Sequence, residues 1–215
     1  MNVSVDALAA EIVRLLTIEM EASGRHIHLS RAHVEALFGA GYQLTPVKDL
    51  SQPGQFACKE RVTLVGPKGE LKNVVVLGPE RKESQVEVSL TDAVALGIAP
   101  PVRQSGDLQK TPGLTVRNGV REIALDHGLI AAQRHIHMTP PDAARWGVTD
   151  NQVVRLKTFT ARPLVFDDVV VRVDPSFTPG FTLILTRPMP ADTGWVRKHL
   201  FCMARRVKVR GGQQW

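Results

Sequence analysis

Arg25-His26-Ile27-His28-Leu29-Ser30 returns further along the chain as Arg134-His135-Ile136-His137-Met138-Thr139. Two identical Arg-His-Ile-His tetrapeptides, each followed by an apolar and then a hydroxyl residue, mark an internal duplication. Each copy leads into a short helix-like stretch, His33 to Phe38 and Pro141 to Trp146. Between the copies, Ala99-Pro100-Pro101-Val102 continues through Ser105-Gly106-Asp107 to Pro112-Gly113 and reads as a linker. The expected plan is an N-terminal piece (1–24), a first lobe (25–103), a second lobe (113–190) and an atypical basic segment (191–215), with strand exchange between the lobes allowed.

Outward from the repeat the texture is that of strands. Val62-Thr63-Leu64-Val65, Gly66-Pro67-Lys68-Gly69 and Val74-Val75-Val76-Leu77 read as strand, turn, strand. Runs at Val153 to Leu156, Val169 to Val173 and Phe181 to Leu185 read the same way, with only short helical patterns between them. The expected fold is mainly β with short helices, as two related β-barrel lobes. Residues 3 to about 20 set Val5, Leu8, Ala9, Ile12, Leu15 and Leu16 on one helical stripe, which predicts an amphipathic helix joined by Glu21-Ala22-Ser23-Gly24.

Composition narrows the class. Apolar residues at 43% and charged residues at 22% suit a globular chain with its own core. The sequence shows neither a signal peptide nor an apolar run long enough to span a membrane, and its two cysteines, Cys58 and Cys202, read as free thiols in a reducing compartment. The expectation is a cytoplasmic protein. A net charge of +6 invites anionic partners, but much of the excess crowds the C-terminus at Arg197, Lys198, Arg205, Arg206, Lys208 and Arg210. One tyrosine and three tryptophans offer little for stacking on bases, so nucleic acid ranks last among partners.

In an extended strand, residues i and i+2 point to one face, so His26 and His28 project side by side, as do His135 and His137. Each pair can grip one transition metal. Zinc is the first choice, while two imidazoles and a carboxylate also accept cobalt, nickel or iron. Familiar signatures are missing: there is no His-Glu-x-x-His and no Cys-x-x-Cys. A cupin-like glutamate is absent too, because Ala32 and His33 stand where it would fall. Taken alone, Glu87 between Val86 and Val88 reads as a solvent-facing strand residue, and Arg81 as a surface arginine beside Glu80 and Glu83.

The chain resembles the PduL-type phosphotransacylases (phosphate propanoyltransferases) of bacterial microcompartments from about Gly24 to Asp174. The resemblance rests on both His-x-His motifs, Asp49 to Ala57, Val62 to Gly69, Leu77-Gly78-Pro79-Glu80-Arg81-Lys82 and Gln85-Val86-Glu87-Val88-Ser89. It implies two β-barrel lobes sharing a two-zinc site that interconverts acyl-CoA plus phosphate with acyl phosphate plus CoA. On that resemblance His26, His28 and Glu87 hold the first zinc, joined by the coenzyme A thiol, and His135 and His137 hold the second. The same resemblance implies that Arg81 binds phosphate and that Ala22, Ser23, Gly24 and Lys68 contact coenzyme A. A metal-bound thiol is deprotonated near neutral pH, which suits attack on an acyl phosphate. The N-terminal helix resembles those that direct enzymes into a microcompartment lumen, toward shell or cargo, and a homo-oligomer is compatible with the family.

One departure stands out. Where the family supplies a third histidine to the second zinc, this chain has Thr186 in Leu185-Thr186-Arg187-Pro188. Two histidines with solvent, a replacement from the tail, or a partial loss of activity would each account for it. His199 and Cys202, spaced to share a helical face, are the tail's ligands to consider. The rival reading is a catalytically impaired relative serving as a metal-binding or assembly module.

Overall fold

The computed structural model describes residues 4–9, 17–159, 163–184 and 201–205. The fold is mainly β. Three short helices, α1 (Arg31–Phe38), α2 (Leu90–Leu96) and α3 (Pro140–Trp146), join fifteen strands among the described residues, and residues 5–9 are also helical.

The chain divides into two compact units. Residues 22–133 carry a nine-stranded sheet of β2 (His26–Ser30), β3 (Pro46–Asp49), β4 (Phe56–Val65), β5 (Glu70–Arg81), β6 (Gln85–Val88), β7 (Val102–Arg103), β8 (Leu114–Asn118), β9 (Arg121–Leu125) and β10 (Leu129–Ala132). Their order is β7-β10-β6-β2-β5-β4-β8-β9, with β3 on β4. Of the described residues, the other unit gathers 4–9, 17–21, 134–159, 163–183 and the strand at 201–205. Its sheet runs β1-β14-β11-β13-β12-β15, from β1 (Met20–Ser23), β11 (His135–Met138), β12 (Val153–Phe159), β13 (Val165–Val173), β14 (Gly180–Ile184) and β15 (Phe201–Arg205).

The strand-turn-strand reading holds. Val65 pairs with Glu70, and the Gly66 amide donates to the Gly69 carbonyl at 2.9 Å, closing the β4–β5 hairpin. Ile27, Leu29, Val76, Val86, Val88 and Leu129 form one core, while Ile136, Met138, Val154, Leu156, Val169 and Val171 form another. Both helix-like stretches after the repeats are helices. Ser30 caps α1 by accepting from the His33 amide, and Thr139 caps α3 by accepting from the Asp142 amide.

The N-terminal reading needs correction. A helix reaching residue 20 does not form, because Ile18 lies in a β-bridge and Met20–Ser23 is strand β1. Ile18 and Met20 alternate with the more exposed Thr17 and Glu19 and join the second core, so period-two burial overrides the helical stripe. Val5 and Leu8, on the helical residues 5–9, are exposed, while Ile12, Leu15 and Leu16 lie outside the described residues.

Leu64, fully buried on β4, gives a direct check on this packing. Leu64→Ala should cost about 2–5 kcal/mol, lowering the melting temperature by roughly 5–15 °C for a chain of this size. Val120→Ala, at a fully exposed position, should leave it unchanged; equal shifts in the two variants would refute the assigned core.

Candidate metal centre

His26 and His28 lie on β2, with their ring centroids 5.1 Å apart and the rings edge to face. Ile27 and Leu29 point the other way, into the core, and so fix which face the imidazoles occupy. Strand β5 runs parallel on one side of β2 and β6 antiparallel on the other. The β6 register sets Glu87 opposite His26 and Gln85 opposite His28. A Glu87 carboxylate oxygen stands 3.5 Å from His26 Nε2. Ligand atoms of His26, His28 and Glu87 all fall within 4.8 Å of one another, and all three residues are buried. The solvent-facing reading of Glu87 was therefore wrong. β6 is an interior strand between β2 and β10, and each of its four residues is buried.

Hydrogen bonding prepares these groups for a cation. His26 Nδ1 lies 2.9 Å from the Gly24 carbonyl, an acceptor only, so this nitrogen carries the hydrogen and donates. With Nδ1 committed as donor, Nε2 is the ring atom that faces Glu87 and is left for a metal. Two ligands at about 2.0–2.2 Å from a tetrahedral zinc stand roughly 3.3–3.6 Å apart, which matches the 3.5 Å separation. His28 Nδ1 is buried with no hydrogen-bond partner. Burial, aided by His26 and Arg81, drives the His28 pKa well below its ordinary value, so the ring is neutral at pH 7. Burial pushes Glu87 the opposite way, but the facing His26 and the Arg81 guanidinium hold its carboxyl well below the ordinary carboxylate range. Two imidazoles beside an ionised carboxylate are the donor set that zinc takes, each ring offering a nitrogen lone pair to the ion.

A second layer of contacts orients this set. Gln85 Nε2 donates to Glu87 Oε1 and, at 2.8 Å, to Ser105 Oγ; the Gly106 amide donates to Gln85 Oε1 at 2.8 Å. Arg81, at the end of β5, donates to Ser105 Oγ at 3.1 Å and is partly buried, whereas Glu80 pairs with Arg31. Arg81 is therefore turned toward the site and is not the surface arginine of the simplest reading. Arg25 pairs with Asp92 at 3.3 Å, and Asp92 also completes the capping box of α2.

Of the residues expected near coenzyme A, Ser23 is buried and its hydroxyl donates to the Gly24 carbonyl, the same oxygen that meets His26. Ala22 lies in β1. Lys68 is exposed in the β4–β5 turn, with its amide donating to Leu96 and its alkyl chain packed over Gly97. Gln85 and Ser105 were missed as site residues. Gln85 carried a signal, since it shares strand parity with Glu87; Ser105 was hidden in what read as linker.

His135 and His137 lie on β11 with ring centroids 4.6 Å apart, and Phe177 stacks edgewise on His137 at 4.4 Å. His137 Nδ1 is also buried without a partner. Burial, then His135 and Arg172, lower the His137 pKa to about 3. β11 has the same kinds of neighbour as β2, β13 parallel and β14 antiparallel, but the register sets Thr182 opposite His135 and Gly180 opposite His137. Arg134 pairs with both Asp168 oxygens, at 2.7 and 2.8 Å. Thr186 and His199 lie outside the described residues. Cys202 lies in strand β15, paired with β12, so the helical face that would join it to His199 is not formed there.

Residues 19–183 match the family model for phosphate propanoyltransferase. The chain belongs to the phosphate propanoyltransferase family, a family of phosphate acyltransferases. It is 58% identical over 180 residues to the phosphate propanoyltransferase of Enterococcus faecalis, covering 81% of this chain and 85% of the relative. Identity to that of Clostridioides difficile is 55% over 177 residues (82% and 85%), and to that of Thermotoga maritima 52% over 178 (80% and 84%). Every residue named above from Glu21 to Thr182 falls inside the span matching the phosphate propanoyltransferase model.

The depressed histidine pKa values carry a sign for stability. His28 and His137 stay neutral when folded but take up protons near pH 6.5 when unfolded, so their contribution is present above about pH 6.5 and is lost as pH falls. Metal-free protein should melt progressively lower from pH 7 to pH 4.5, and His28→Asn with His137→Asn should flatten that slope. An unchanged slope in the double variant would contradict the neutral, buried assignment.

Proposed function

We propose that this member of the phosphate propanoyltransferase family transfers a short acyl group between coenzyme A and phosphate, using a zinc ion held by His26, His28 and Glu87. The observation that carries the reading is a buried set of two histidines and a carboxylate, with an unpartnered Nδ1 on His28. Such a zinc ion would supply Lewis acidity and lower the pKa of a coordinating thiol.

The protein's own groups do the positioning. Arg81 offers a planar guanidinium that can take two phosphate oxygens and offset their charge as a phosphate oxygen attacks the thioester carbonyl. The C–S bond breaks as the C–O bond forms, and coenzyme A leaves as its thiolate, which takes up a proton on release. Ala22, Ser23 and Gly24, just ahead of Arg25 and β2, are assigned to the thioester arm of coenzyme A, and Lys68 to its phosphates. His135 and His137 are assigned a second zinc, with the unpartnered Nδ1 of His137 in support.

The two His-x-His strands have the same kinds of neighbour and each precedes a hydroxyl-capped helix, which supports two duplicated β-barrel lobes. The N-terminal residues are assigned to an amphipathic helix that docks on a microcompartment shell or cargo, supported by the exposure of Val5 and Leu8. No helix among the described residues is long and apolar enough to cross a membrane. A second reading, an impaired relative serving as a metal-binding or assembly module, draws on Thr182 standing opposite His135 where the first unit has Glu87.

Thiol release from acetyl-CoA and propanoyl-CoA, measured with and without phosphate beside metal content per chain, decides between these readings. Phosphate-dependent release with bound zinc is expected, falling by about 100-fold or more in His28→Ala, while Arg81→Ala raises the phosphate KM. Zinc without release in the intact protein would favour the assembly module.

A further inference from the structure

We infer that Gln85 is a positioning residue that couples the metal-binding carboxylate of Glu87 to the anion-binding guanidinium of Arg81 through Ser105. The inference rests on reading His26, His28 and Glu87 as metal ligands and adds a residue that neither touches the metal nor meets substrate.

The orientation of the Gln85 amide is forced. The Gly106 N–H can only donate, so the atom it meets is the Gln85 carbonyl oxygen, at 2.8 Å. Both amide hydrogens are then committed on the other side, one to Glu87 Oε1 and one to Ser105 Oγ. A donor fixed on Oε1 leaves Oε2 turned to His26 Nε2, at 3.5 Å. On the far side Ser105 Oγ also accepts from Arg81 Nη1, so one chain of hydrogen bonds runs Glu87, Gln85, Ser105, Arg81.

Burial makes this chain stiff. Gln85 is only 1% exposed, so water cannot substitute for a lost partner, and its amide cannot turn over without breaking three contacts. Its place is set by register rather than by general need of the fold. Gln85 stands opposite His28 on β2, whereas Gly180 stands opposite His137 on β11, where no side-chain amide is available and Thr182 replaces the carboxylate. The clamp and the carboxylate thus occur together opposite β2, and neither stands at the matching register positions opposite β11.

The test uses the full chain. Zinc affinity is measured by competition with a chromogenic chelator, and the phosphate KM is measured in the acyl transfer assay, for wild type, Gln85→Leu, Gln85→Asn, Ser105→Ala and His28→Ala. Gln85→Leu should weaken zinc by about 10- to 100-fold, the range for loss of an outer-shell partner, and raise the phosphate KM. Ser105→Ala, which removes the acceptor of Arg81 and of one Gln85 amide hydrogen but keeps the Gln85–Glu87 and Gly106–Gln85 bonds, should raise the phosphate KM while leaving zinc affinity within about twofold of wild type, well short of the loss in Gln85→Leu; general loosening of the fold would move both. Gln85→Asn keeps the amide but is one methylene short, so it supplies the zinc reading if Gln85→Leu does not fold. Unchanged zinc affinity in the folded Gln85 variants, with affinity lost in His28→Ala, would overturn the role of Gln85 and spare the metal reading. No loss in His28→Ala would remove the metal reading and the inference with it.

Discussion

The structure of the first unit depends on keeping one carboxylate ionised inside the protein. Glu87 is buried, and a buried carboxylate is costly unless charge and hydrogen bonds compensate it. The antiparallel register of β6 on β2 supplies His26 directly opposite, and the Gln85 amide supplies a hydrogen bond from the same strand. Once that register is set, Ile27, Leu29, Val86 and Val88 must fill the other face as core, and they do. A one-residue slip would exchange these faces, burying the imidazoles and carboxylate in the hydrocarbon core and exposing the valines.

Part of this was legible in the sequence, and the legible part followed from backbone geometry. Alternation in a strand was enough to pair His26 with His28 and His135 with His137, and each pair has its rings in contact. The same alternation misjudged Glu87, because it distinguishes two faces of a strand without saying whether both are covered. Only the sheet order, with β6 between β2 and β10, supplies that. At the N-terminus, a helical stripe extended too far, since Ile18 and Met20 fit a strand pattern equally well and the pairing of β1 with β14 decided the matter. Ser105 was invisible for another reason. Its neighbours have the composition of a connection, and its contacts with Arg81 and Gln85 join positions more than a turn or hairpin apart.

Comparison of the two repeats separates what duplication preserves from what a site requires. The His-x-His strand, its parallel and antiparallel neighbours and the hydroxyl cap of the following helix occur in both units. The carboxylate and the amide do not, since Thr182 and Gly180 take their register positions. Even the leading arginines diverge: Arg25 reaches the buried Asp92 in the first turn of α2, while Arg134 pairs with the exposed Asp168 on β13. Among the described residues, the first repeat holds a three-residue ligand set from its own strands and the second presents two histidines, one of them with an unpartnered nitrogen beneath Phe177.

The most direct test of the account is the position of a bound metal, from anomalous diffraction at the zinc edge on crystals of the full chain grown with zinc. The account predicts a peak about 2.0–2.2 Å from an imidazole nitrogen of His26, an imidazole nitrogen of His28 and a carboxylate oxygen of Glu87. An ordered structure of the zinc-loaded protein with no peak among these three residues would contradict it.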